Sequence, residues 1–212
     1  MTDHPSHTKQ SAPRGAFSVL AWTVAWGLTG IALYISGVFN SPRTGPLWVA
    51  LVGGAVPWAI AGHFTFRAGR SDSSGMRKLA VMLIWALAYL VAFALAAFAA
   101  TALAMVLGGF FLMLVGWTLG GGAGAFASTW LLTDRGRFKR SIVLADIWML
   151  GFFVGSFLAL VGLYLGPEFG KLIIGPWIGQ PAALALGAGV GCAVGGLAAS
   201  AIAVGLTRLV RA

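Results

Sequence analysis

Acidic side chains are scarce in this sequence: Asp and Glu number 5 among 212 residues, and all charged residues together make up 9%. Ordinary soluble domains carry roughly 25%. With 59% of the residues hydrophobic, too few charges remain to solvate a globular surface or to hold a chain open. A soluble globule and a disordered chain are both excluded. Cysteine is scarcer still. The lone Cys192 excludes an intrachain disulfide and a zinc cluster built from thiolates.

Catalytic signatures are missing as well. The sequence holds no Walker loop, no HExxH zinc motif and no GxSxG around a serine. Gly120-Gly-Gly-Ala-Gly124 resembles a phosphate cradle in glycine content alone, because it lies in an apolar run and lacks the Lys-Ser/Thr that would follow. No lysine sits in mid-run as a Schiff-base site. No catalytic residue, metal site or defined cofactor is therefore read from the sequence, and the expectation is a protein that is not an enzyme.

What is present is apolar sequence in long blocks. The runs cover 16–39, 47–66, 79–132, 142–165 and 181–206. The first follows the polar stretch 1–15 and is too long for a signal-peptide core, so it reads as a retained membrane helix. The run 79–132 contains no charge at all. As one helix it would measure about 80 Å, against a hydrocarbon core of about 30 Å, so it must fold back. Leu107-Gly108-Gly109 is the expected reversal. The result is an all-α integral membrane protein with six transmembrane helices near 16–38, 47–66, 79–106, 110–132, 142–165 and 181–206. It is preceded by a polar cytoplasmic tail, 1–15. A transmembrane barrel would need alternating apolar and polar residues, which these runs lack.

The 14 basic residues set the orientation. Lys9, Arg14, Arg67, Arg70, Arg77, Lys78, Arg135, Arg137, Lys139, Arg140, Arg208 and Arg211 fall on one side of a six-helix path. Only Arg43 and Lys171 fall on the other. Positive residues collect in the cytoplasm, so both termini are expected there, in a bacterial plasma membrane. The same asymmetry accounts for most of the net charge of +9, with the basic loops expected to lie against anionic lipid headgroups. Nucleic-acid binding is not needed to explain it, and no recognition motif supports it.

The chain divides into three hairpins, roughly 16–70, 77–137 and 140–208. The first helix of each carries a tryptophan, Trp26, Trp85 and Trp148, at nearly equal spacings. A triplicated hairpin is one explanation, and the approximate periodicity of any six-helix chain with positive loops is the other. Small residues recur every four positions as Gly116, Gly120, Gly124 and Ser128, and again as Gly187, Gly191, Gly195, Ala199 and Ala203. Such a glycine-zipper stripe lets a neighbouring backbone approach closely, within the bundle or at a contact with another chain, and lining a pore is the further alternative.

Few polar residues interrupt the runs. Asp146 is the one acid within an expected span, about 9 Å by helical rise beyond Arg140. A structural ion pair with a cytoplasmic arginine is favoured over a functional carboxylate. His63 lies at a similar depth, so a His63–Asp146 pair that relays a proton is one option. Ligation of a pigment magnesium or a haem iron is another, and an interfacial hydrogen-bonded histidine is preferred. Asp3, His4 and His7 read as a solvated tail. Glu168 and Lys171 lie in an external segment, 166–181, read as an interfacial loop or short helix on the bilayer. Trp177 and its isoleucine neighbours there offer anchors for a docking protein or for lipid.

These readings favour a non-catalytic subunit or scaffold of a larger membrane complex, such as an energy-transducing one. Other membrane subunits or further copies of the chain would be its partners. The alternative is a small-solute transporter, or the substrate-binding membrane module of one, with glycine-broken helices lining the site.

Overall fold

An uninterrupted apolar sequence leaves the backbone no hydrogen-bond partner in lipid except itself, and a helix satisfies every group within one segment. The computed structural model, which describes residues 12–37, 45–66, 75–102, 106–132 and 138–211, is helical almost throughout. Its elements are α1 (Ala12–Ser36), α2 (Leu47–Phe66), α3 (Gly75–Ala102), α4 (Val106–Leu132), α5 (Phe138–Ile173), α6 (Gly175–Ile178) and α7 (Gln180–Arg211). Six of these are long and apolar enough to cross a membrane. Serine and threonine hydroxyls inside them donate to carbonyls one turn back, as in Thr29 to Ala25 at 2.8 Å and Ser200 to Gly196 at 2.6 Å. Polar side chains thereby cost little in lipid.

The helices pack as a closed ring. α1 lies against α2, α2 against α3, α3 against α4, α4 against α5, α5 against α7, and α7 returns to α1. Each wall helix is consequently two-faced. On α3, Leu79, Leu83, Leu87, Val91 and Leu95 recur every fourth residue and are exposed, while Val81, Trp85, Tyr89 and Ala92 are buried. The outward stripe suits lipid tails and the inward one fills the ring.

Several boundaries lie four or more residues from the sequence expectation, and three of them change its reading. α1 begins at Ala12, within the stretch assigned to the polar tail, because Pro13 fits the first helical turn. α4 begins at Val106, so Gly108 and Gly109 are helical and not the reversal. In lipid a glycine gains nothing by leaving the helix. The third difference is the largest. α5 does not stop near 165 but runs through Pro167 to Ile173, 36 residues or about 54 Å. The external segment is thus a continuation of α5, the short α6 and the start of α7, not a loop, with the reversal at Gly179 (φ +85°). Lys9, Arg43, Arg67, Arg70, Arg135 and Arg137, with Asp3, His4 and His7, lie outside the described residues.

Glycine explains the extension. Gly162, Gly166 and Gly170 of α5 face the backbone of Gly191, Gly187 and Ala183 on α7, so near that a Cβ on any of them would collide. Here the glycines are not breaks; they let two helix backbones touch, supplying dispersion and Cα–H···O contacts beyond the reach of side chains.

Candidate functional site

Six of the nine tryptophans lie inside the ring: Trp22 and Trp26 of α1, Trp58 of α2, Trp85 of α3, Trp117 of α4 and Trp148 of α5. Trp22, Trp85 and Trp148 form a triangle, with ring centroids 4.8, 5.7 and 6.0 Å apart. Phe66 packs over Trp85 and Trp148 at 5.6 and 5.5 Å. One helical turn further along, Trp26, Trp58 and Phe152 pack together at 5.3 to 5.6 Å. Trp117 stands edge-on to Trp26 at 4.9 Å and 82°. Tyr89 adds a contact to Trp58 at 5.4 Å and donates its hydroxyl hydrogen to the Ala50 carbonyl at 2.8 Å. Most of these pairs are tilted or edge-to-face, the arrangement favoured by the ring quadrupole.

The walls are shaped for these rings by glycines. A Cβ at Gly62 or Gly124 would run into Trp85, one at Gly54 into Tyr89, one at Gly121 into Phe152 and one at Gly196 into Trp26. α2, α4 and α7 therefore supply these hollows, and α1, α3 and α5 supply the rings that fill them.

Hydrogen bonding in this core is uneven. Thr65 of α2 gives its hydroxyl hydrogen to the Ala61 carbonyl at 2.8 Å. Its two lone pairs are then free to accept from the Trp22 indole at 2.9 Å and from the Ser18 hydroxyl at 2.7 Å. By contrast, the indole N–H groups of Trp26, Trp58, Trp85 and Trp117 are buried with no acceptor among the described residues, as are the hydroxyls of Ser128 and Ser156.

The residues singled out in the sequence are distributed around this core and are not gathered in it. Gly116 and Gly120 face α3, where a Cβ would lie 2.9 Å from the Ala92 carbonyl and 3.0 Å from that of Ala88. Gly124 seats Trp85. Gly187, Gly191 and Gly195 face Gly166, Gly162 and Gly155 on α5. His63 is half-buried on α2, its ring edge-on to Phe64 at 5.6 Å. Asp146 is exposed on the outer surface of α5. α2 and α5 are not neighbours in the ring, so the fold does not bring His63 and Asp146 onto one interface. Among the described residues no ion pair reaches the Asp146 carboxylate; Arg67, Arg70, Arg135 and Arg137, cytoplasmic arginines that could partner it, lie outside them. Glu168, Lys171 and Trp177 are all exposed at the α5–α6 end, Trp177 by 84%. No group of His, Cys, Asp and Glu able to hold a metal occurs among the described residues.

Sequence reasoning missed the aromatic core. Its signal was depth: the six inner tryptophans lie well inside the apolar runs, whereas Trp48, Trp130 and Trp177, all exposed, lie near helix ends. The tryptophans that meet are Trp22, Trp85 and Trp148, evenly spaced along the chain, with Trp26 a turn deeper. No protein family, curated protein or solved structure matches the chain.

Proposed function

We propose that this chain is a non-catalytic integral membrane subunit or scaffold of a larger membrane complex, such as an energy-transducing one. The observation that carries this reading is the filled axis. Where a six-helix ring would otherwise enclose a route for a solute, aromatic rings from five helices are packed against one another. Such a core resists shear and holds the outer surfaces in fixed relation, the property a scaffold needs.

The finer topology belongs to the same proposal. Three repeated helical hairpins are supported by the even spacing of Trp22, Trp85 and Trp148 and by the aromatic one turn after each: Trp26, Tyr89 and Phe152. The 12-to-2 division of basic residues supports termini on the cytoplasmic side of a bacterial plasma membrane and loops against anionic headgroups. The small-residue faces of α4 and α7 act as glycine zippers within the bundle.

One observation favours the second reading, small-solute transport. Four buried indole N–H donors without acceptors among the described residues are groups that a guest bearing oxygen could engage, provided the rings part to admit it.

Mild solubilisation from native membranes, followed by native mass measurement and an absorption spectrum, separates the two. The subunit reading expects a large stoichiometric assembly. A monomer that retains a small solute would overturn it in favour of transport.

A further inference from the structure

We infer that the outer face of α5 around Asp146 is the docking surface for a transmembrane helix of a different protein, one that presents an arginine or lysine at the same depth; the inference rests on the subunit reading above. The depth follows from the core. Phe152 packs with Trp26 and Trp58, which lie midway along the membrane stretches Gly15–Ser36 and Leu47–Phe66. Asp146 lies about 9 Å from Phe152 by helical rise. A hydrocarbon half-thickness is about 15 Å, so the carboxylate lies inside the apolar layer.

Its surroundings are those of a lipid-facing stripe. Ile142, Val143, Leu150 and Phe153 flank it and are exposed by 39, 40, 52 and 49%. The spacing that relates the three core tryptophans also relates Asp146 to Leu83 on α3 and Leu20 on α1, which are exposed outward by 54 and 58%. Two of three equivalent positions thus carry the side chain that lipid favours, and the third carries a carboxylate with no ion pair among the described residues. A short aspartate cannot snorkel to the headgroups as lysine does. A charge or donor from outside the chain is what completes this face.

A second copy does not supply it. Every Lys and Arg of this chain lies outside the apolar runs, and the basic residues nearest on α5, Lys139 and Arg140, sit nearly two turns nearer the membrane edge. A copy lying parallel in the membrane carries its cations at that same shallower level. The complementary charge therefore belongs to another polypeptide.

The test uses the full chain in its native membranes, with a benzoylphenylalanine photo-crosslinker replacing Leu150, one turn from Asp146. We expect cross-linking to a transmembrane peptide of another protein whose Lys or Arg lies within a turn of the joined residue, as read by peptide mass spectrometry. Asp146→Leu and Asp146→Lys should each reduce that product about tenfold or more. The purified chain should melt at the same temperature with Asp146→Leu as without it. Cross-links that persist in Asp146→Leu, or that reach only lipid or another copy of this chain, overturn the inference while leaving the subunit reading standing. A lowered melting temperature for purified Asp146→Leu also overturns it, since the carboxylate would then act within the bundle. A wild-type chain that is monomeric in the membrane removes the subunit reading itself, and the inference with it.

Discussion

The indole N–H of Trp22 on α1 donates to Thr65 Oγ1 on α2 at 2.9 Å, a hydrogen bond that ties two neighbouring helices at the aromatic core. Thr65→Val keeps the shape of the side chain but removes the acceptor. It strands the Trp22 donor and deprives the Ser18 hydroxyl of its partner. A buried donor left unsatisfied costs about 1–3 kcal/mol. Thermal unfolding in mild detergent should show a clear loss for Thr65→Val and near wild-type behaviour for Thr65→Ser. Equal melting of all three would mean that water already serves these donors.

Burial separates the tryptophans into two energetic classes. Trp117 is 1% exposed and packs edge-on to Trp26, whereas Trp177 is 84% exposed at the α5–α6 end. Trp117→Ala should open a cavity in the ring and cost about 3–5 kcal/mol. Trp177→Ala should leave the isolated bundle within about 0.5 kcal/mol of wild type. Urea or thermal unfolding of the two purified variants checks the difference. Similar losses would contradict the placement of Trp117 on the axis.

Helix number was legible because a charge-free apolar run has one stable conformation in lipid. The length of α5 was not. Gly166, Pro167 and Gly170 look like punctuation in a soluble protein, yet Gly166 and Gly170 are the points where α7 makes backbone contact. The distinction depends on what stands opposite, which the local sequence does not carry. The aromatic core was half legible. Mid-run tryptophans announce burial, but their convergence follows from closing the helices into a ring, a long-range event. Asp146 was visible as an anomaly from the start. Its outward direction became visible only once Leu20 and Leu83 could be set beside it.

Glycine substitutions should sort by what stands opposite. A side chain at Gly191 meets the backbone of Gly162, which cannot yield as a flexible side chain would, and one at Gly120 meets the Ala88 carbonyl. Gly191→Leu and Gly120→Leu should therefore separate their helix pairs and lower stability by at least about 1–3 kcal/mol, the usual cost of overpacking. At Gly205 an added Cβ meets nothing within 4 Å. Gly205→Ala should be neutral or slightly stabilising, since alanine is the better helix former by about 1 kcal/mol. Melting temperatures of the three variants in one detergent decide the matter, and three equal values would refute the close approach.

Orientation can be read with single cysteines because the native thiol is out of reach: Cys192 is fully buried and near the Ala159 carbonyl, 3.5 Å away. A membrane-impermeant maleimide applied to intact cells should thus report only on an introduced residue. If positive residues are retained in the cytoplasm, Arg43→Cys should label from outside, while Arg70→Cys and Arg137→Cys should label only after the membrane is opened. Arg70 and Arg137 precede α3 and α5, the helices that carry Trp85 and Trp148, so a shared side for both also fixes the direction of those helices. Labelling of Arg70→Cys and Arg137→Cys from opposite sides would break the six-crossing path. Trp85 and Trp148 could not then enter the core from helices running the same way, and the ring built around them would fail with it.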